Sequence, residues 1–202
     1  MPQSKYNLHN NEGFDIIEIL IMISLVALVF VAIMSLVIKN IQLENLSKND
    51  YVAISLVKEG LDLAEEIRND NIIRLDPFFK DLTCDNPPLC TDAPEEDWTC
   101  SFRLDYLQPR NQLVLSRDCY DPSPPLDSIP RVSDATYTLQ LDDNNYYQYS
   151  SGSIAPFHRL ITTVYHAGGI SGPYLDVKSE VYWEYKGQGY IYELNTKLFN
   201  EN

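Results

Sequence analysis

Gly13-Phe14-Asp15-Ile16-Ile17-Glu18 runs without a break into residues 19–38, ILIMISLVALVFVAIMSLVI. Those twenty residues carry no charge, no Pro and no Gly, and only Ser24 and Ser35 bring a polar side chain. As a helix they span about 30 Å, the thickness of a bilayer's hydrocarbon. In lipid the backbone must satisfy its own hydrogen bonds, so the segment is expected to be helical. A buried helix of a soluble protein seldom runs this far without a polar face.

The chain to the N-terminal side is polar, with Lys5 its only basic side chain. In a secretory signal the apolar stretch is shorter and the small-residue cleavage site follows it. Here the small residue, Gly13, comes first, so a cut after it leaves the anchor attached. Gly13, Phe14 and Glu18 resemble the prepilin signature of type IV pilins and of the pseudopilins of type II secretion: Gly, then a hydrophobic residue, then Glu four positions further on, just ahead of an apolar run. The resemblance implies cleavage between Gly13 and Phe14 by a prepilin peptidase, N-methylation of Phe14, and assembly through the helix. It also implies a leader facing the cytoplasm, a head outside it, and other pilin subunits and an assembly platform as partners.

A carboxylate at the lip of a membrane helix is costly unless paired. In a bundle of parallel helices the freed ammonium of a neighbour's Phe14 is a suitable partner for Glu18. Pairing at low dielectric would offset the desolvation of both groups and set the axial register. Seating in lipid headgroups at the positive helix N-terminus is the alternative place for Glu18.

Beyond Lys39 the pattern becomes amphipathic. Ala53, Ile54, Val57, Gly60, Leu61, Ala64 and Ile67 recur at three- and four-residue steps. No Pro intervenes before Pro77, so one helix is expected from Phe14 to Arg74, roughly 90 Å long. Gly60 inside it costs about 1 kcal/mol against Ala, and a close approach to a sheet is the expected reason.

Residues 78–97 are rich in Pro, Asp and Asn and read as a loop, with Cys84 and Cys90 placed to close it. Segments alternating in hydrophobicity flank Gln108-Pro109-Arg110-Asn111 and form a hairpin. Centred there, Cys100 faces Cys119, Leu104 faces Leu115 and Tyr106 faces Leu113. Four cysteines beyond an apolar anchor fit disulfides in an oxidising compartment, and no CxxC pair supports zinc. Strands are expected at 137–141, 146–149, 157–165, 174–185 and 190–197, with a hairpin turn at 187–189. Leu175, Val177, Ser179, Val181 and Trp183 share a face, the inner one. Short connections make the sheet antiparallel. Phe157-His158-Arg159-Leu160-Ile161, Val181-Tyr182-Trp183 and Leu194-Asn195-Thr196-Lys197-Leu198 are similar to the closing strands of a pilin-like subgroup.

The expected fold is therefore α+β and pilin-like: one long N-terminal helix, transmembrane and then amphipathic, packed on an antiparallel β-sheet head. Residues 1–13 are a leader, 14–38 the transmembrane and assembly helix, 39–76 its amphipathic half, and 77–202 the disulfide-containing head. The expected function is that of a pilin, minor pilin or pseudopilin, membrane-anchored before assembly and part of a surface or periplasmic filament after it. An uncleaved single-pass anchor carrying an extracytoplasmic binding head is the alternative.

Other classes find little support. The net charge is −14 with no basic cluster, so nucleic acid is not an expected partner. No GxSxG, HExxH or Gly-rich phosphate loop is present, so neither an enzyme nor a cofactor is expected. His158 and His166 fall on or near one strand as surface residues. Asp142-Asp143-Asn144-Asn145 offers oxygens to calcium but reads better as a solvated turn, so no metal is assigned.

Overall fold

The computed structural model describes residues 16–83, 98–105, 114–120, 130–167 and 172–200. They form one long N-terminal helix and an antiparallel sheet on which its second half packs. The chain divides into two compact units, residues 1–47 and 48–202. In the first, helix α1 (Ile16–Ile73) carries the uncharged run identified in the sequence.

In the second unit, α1 buries Ala53, Leu56, Val57, Gly60, Leu63, Ala64, Ile67 and Asn71. The stripe lies slightly to one side of the expected one: Leu56 and Leu63 turn inward, while Ile54 and Leu61 sit at its margin. Both sets keep helical spacing, and contact with the sheet decides between them. A Cβ on Gly60 would collide with Ser179 Oγ and lie 3.2 Å from Ile161 Cδ1. The bare backbone is what brings helix and sheet together at this point. At the C-terminus Asp76 N–H donates to Asn71 O (2.9 Å) and Leu75 takes a positive φ of 60°, a left-handed cap before Pro77. Asn71, buried beneath, donates its side-chain amide to the carbonyls of Phe78 and Lys80.

The sheet contains β1 (Trp98–Leu104), β2 (Val114–Tyr120), β3 (Thr138–Leu141), β4 (Tyr147–Gln148), β5 (Ser153–His166), β6 (Tyr174–Tyr185) and β7 (Gln188–Phe199). β5 is its spine. One side pairs with β6, while the other pairs with β3 near its start and with β1 near its end. β2 continues the sheet beyond β1, β4 beyond β3 and β7 beyond β6. β5 begins earlier than expected, at Ser153, and takes in Pro156. The β3 register shifts between Thr138 and Gln140, so the missing donor of Pro156 falls at an irregular stretch of the ladder.

Cys100 pairs with Cys119 in the β1–β2 register, and the two form a disulfide with Cα atoms 4.0 Å apart. Closing a loop of that size stabilises a fold by about 3 kcal/mol. The expected register fails one step later: Leu104 pairs with Val114 instead of Leu115, because the ladder shifts between Arg103 and Leu104. Such a bulge adds a residue to one strand and re-aims those beyond it. Tyr106, Leu113 and a Cys84–Cys90 bridge lie outside the described residues.

Facing α1, β6 buries Leu175, Val177, Ser179, Val181 and Trp183, as its alternation predicts, and β5 buries Phe157, Arg159, Ile161, Thr163 and Tyr165. One cluster gathers Leu63, Ala64 and Ile67 with Phe78, Phe79, Leu82, Phe102, Ile161 and Tyr165. A second gathers Ala53, Leu56 and Val57 with Leu139, Tyr149, Phe157, Val181 and Trp183. On the opposite face Leu160 is covered by Val132 and Tyr137, with Tyr182 at the margin.

Candidate assembly surface

In α1 every large apolar side chain from Ile16 to Ile38 is between 46% and 76% exposed. Ser24 does not break the apolar surface, because its hydroxyl donates back to Ile21 O at 2.8 Å. Eighteen such side chains lie in this stretch. Moving them out of water is favourable by on the order of 20 kcal/mol, more than the whole stability of a typical domain. Water is therefore not the medium this surface is built for. Among the described residues this is the one helix long and apolar enough to cross a membrane, and it could serve as a membrane anchor.

Glu18 is the only charged residue between Ile16 and Ile38 and lies in the first turn. A carboxylate in that turn is favoured by the positive end of the helix dipole. Gly13 and Phe14, the expected cleavage and methylation residues, lie outside the described residues, as do Cys84 and Cys90.

Sequence reasoning did not single out Arg159 for its place in the head. Its guanidinium is fully buried; Nη1 donates to Glu59 Oε1 on α1 at 2.8 Å and Nη2 to Leu104 O at the end of β1 at 2.7 Å. Nε reaches the Tyr149 hydroxyl at 3.4 Å, and that hydroxyl donates to Arg159 O at 2.7 Å. Burial works against the charge, but Tyr149 and Glu59 more than offset it and hold the Arg159 pKa above its ordinary value. One side chain thus ties the helix to β1, β5 and the turn after β4. The outward clue was an Arg amid apolar neighbours, in a strand whose two faces are both apolar enough to hide which one is inner.

The remaining polar candidates sit in structural contacts. Asp142 Oδ1 accepts from the N–H groups of Asn144 (2.9 Å) and Tyr146 (2.8 Å), which folds its turn back on itself. Among the described residues no group of three His, Cys, Asp or Glu side chains is arranged to hold a metal ion. His158 Nδ1 lies 3.1 Å from Thr138 Oγ1, and His166 Nε2 lies 3.0 Å from Asp176 Oδ2. A groove of about 810 Å³ crosses the sheet face away from α1, lined by Val132, Leu160, Val164, Tyr182, Ile191 and Lys178 among others. Comparison with protein-family models, with curated proteins and with solved structures finds no match to this chain.

Proposed function

We propose that this chain is a pilin-like structural subunit, held in the membrane by the first part of α1 and assembled into a filament by packing that same surface against other copies. One observation carries the reading. α1 passes from a bare apolar rod at Ile16–Ile38 to a stripe covered by the sheet at Ala53–Asn71. One end is suited to lipid or to other helices, while the other holds a folded head. On this reading the prepilin peptidase cuts after Gly13, Phe14 is methylated, and its ammonium pairs with Glu18 of the adjacent copy. Lipid and a bundle of neighbouring rods meet the same physical need, so one surface serves before and after assembly.

Intact mass of the full chain, co-expressed with a prepilin peptidase, tests processing; the expected product begins at Phe14. Retention of Met1–Gly13 would leave a single-pass anchor bearing a binding head and refute the filament reading. In a cell able to assemble filaments, Glu18→Gln should cut incorporation into sheared surface fibres about tenfold or more, the loss expected when one charge of a desolvated pair is removed. Incorporation at the normal level would sink the pairing.

A further inference from the structure

Natural sheet edges are commonly kept from pairing by being short, bulged or interrupted by Pro. β4 has two residues, and the β1–β2 ladder is bulged. β7 has neither protection. It runs twelve residues without Pro, pairs with β6 in unbroken register, and on its other side pairs with no described strand.

The turn at Lys186-Gly187 fixes which of its backbone groups are free. Both residues have positive φ (53° and 77°), as a two-residue hairpin turn requires, and Tyr185 pairs with Gln188 across it. In such a hairpin the flanking pair exchanges both hydrogen bonds, and alternate residues then face away. Even residues of β7 therefore bond to β6, and Gly189, Ile191, Glu193, Asn195, Lys197 and Phe199 turn N–H and C=O to the open side. Arg68 Nη1 reaches the Phe199 carbonyl at 3.5 Å, which leaves a second lone pair on that oxygen.

Glu193 is at odds with its own sheet. Its register partner on β6 is Glu180, a like charge, and no described residue forms an ion pair with Glu193. Glu180 is itself paired with Lys178 at 2.9 Å.

We propose that β7 is a strand-pairing site for a second copy of this chain, β7 against β7, antiparallel about a two-fold axis at Asn195. This register sets Glu193 opposite Lys197 and Ile191 opposite Phe199, each twice by symmetry. Ile191 and Phe199 are exposed in the single chain, at 57% and 38%. Centring the axis on Glu193 or Lys197 sets like charges face to face. Centring it on Leu194 or Thr196 sets each charge against Asn195 or an apolar side chain. Only the Asn195 register matches charge with charge. Because residues 48–73 of α1 lie along one sheet face, a two-fold normal to the sheet runs the two helices in opposite directions. Subunits of one polar filament share a direction, so under the filament reading this contact joins copies from separate filaments. The pairing itself does not depend on that reading.

The full chain in detergent solution tests it through Asn195→Cys, which sets two thiols across the axis. Oxidation should give a disulfide-linked dimer, while a Glu184→Cys control on β6 should not. Glu193→Lys sets two like-charge pairs across the axis and should weaken self-association about tenfold or more. It also relieves the clash with Glu180, so its thermal transition should be no lower than that of the wild type. Glu193→Lys combined with Lys197→Glu should restore the dimer. No Asn195→Cys dimer, one matched by Glu184→Cys, or one indifferent to Glu193→Lys would overturn the proposal.

Discussion

Replacing Arg159 by Met keeps the buried stem and deletes the charge. The Leu104 carbonyl, fully buried with its residue, loses its 2.7 Å donor. An unsatisfied buried acceptor costs about 1–3 kcal/mol. Glu59 loses its 2.8 Å partner, but its side chain is 32% exposed. Water can take the place of that partner, so the ionic part adds only about 0–1 kcal/mol. The weak contact to Tyr149 adds little. The sum, about 1–4 kcal/mol, lies mostly below the roughly 3–5 kcal/mol typical when one member of a fully buried pair is removed. For a chain of this size that lowers Tm by roughly 2–16 °C. Trp183 is buried in the same core and gives a fluorescence signal for thermal and urea unfolding of the full chain in mild detergent. Glu59→Gln keeps a hydrogen-bond acceptor and should cost under about 1 kcal/mol. If Arg159→Met fell within about 0.5 kcal/mol of the wild type, or Glu59→Gln cost as much as Arg159→Met, the guanidinium would not be the tie described here.

Burial pushes the Tyr149 hydroxyl above its ordinary pKa, with Arg159 pulling partly the other way. A group raised in the folded state stabilises fully below its unfolded pKa of about 10, and that contribution is lost as pH rises through the folded pKa. Stability should therefore fall above about pH 10, and Tyr149→Phe, though less stable at neutral pH, should show a shallower fall; a phenolate titration of the still-folded chain in which every tyrosine has its midpoint near pH 10 would contradict this. Gly60→Ala gains about 1 kcal/mol of helix propensity yet drives a methyl into Ser179 Oγ, so a net loss of up to about 2 kcal/mol is expected. Adding Ser179→Ala should recover most of it in urea titrations, and a Gly60→Ala chain more stable than the parent would refute the close approach.

The helix was legible because twenty uncharged residues followed by a three-and-four-residue stripe admit few other folds. Its buried face was read slightly to one side, since Ile54 and Leu61 fit helical spacing as well as Leu56 and Leu63 do. Only the position of the sheet separates them. The Cys100–Cys119 pairing could be read from a hairpin register alone, but the shift after Arg103 could not, because a bulge answers to how β1 meets β5. β6 announced its inner face through Trp183 and the valines. β5 did not, since Leu160 points away from α1 and is still buried under Val132 and Tyr137. Arg159 was hidden by an ambiguous alternation.

The branching of β5 has a consequence for the order in which the head folds. β5, β6 and β7 form a meander of neighbouring hairpins, whereas the contact of Glu59 with Arg159 spans 100 residues of chain. Local pairings close quickly and distant ones wait on loop entropy. The C-terminal meander is thus the natural nucleus, and α1 and β1 dock on it last. While the chain is being synthesised, Leu56, Val57 and Leu63 lack the surface they settle on until β5 and β6 have formed.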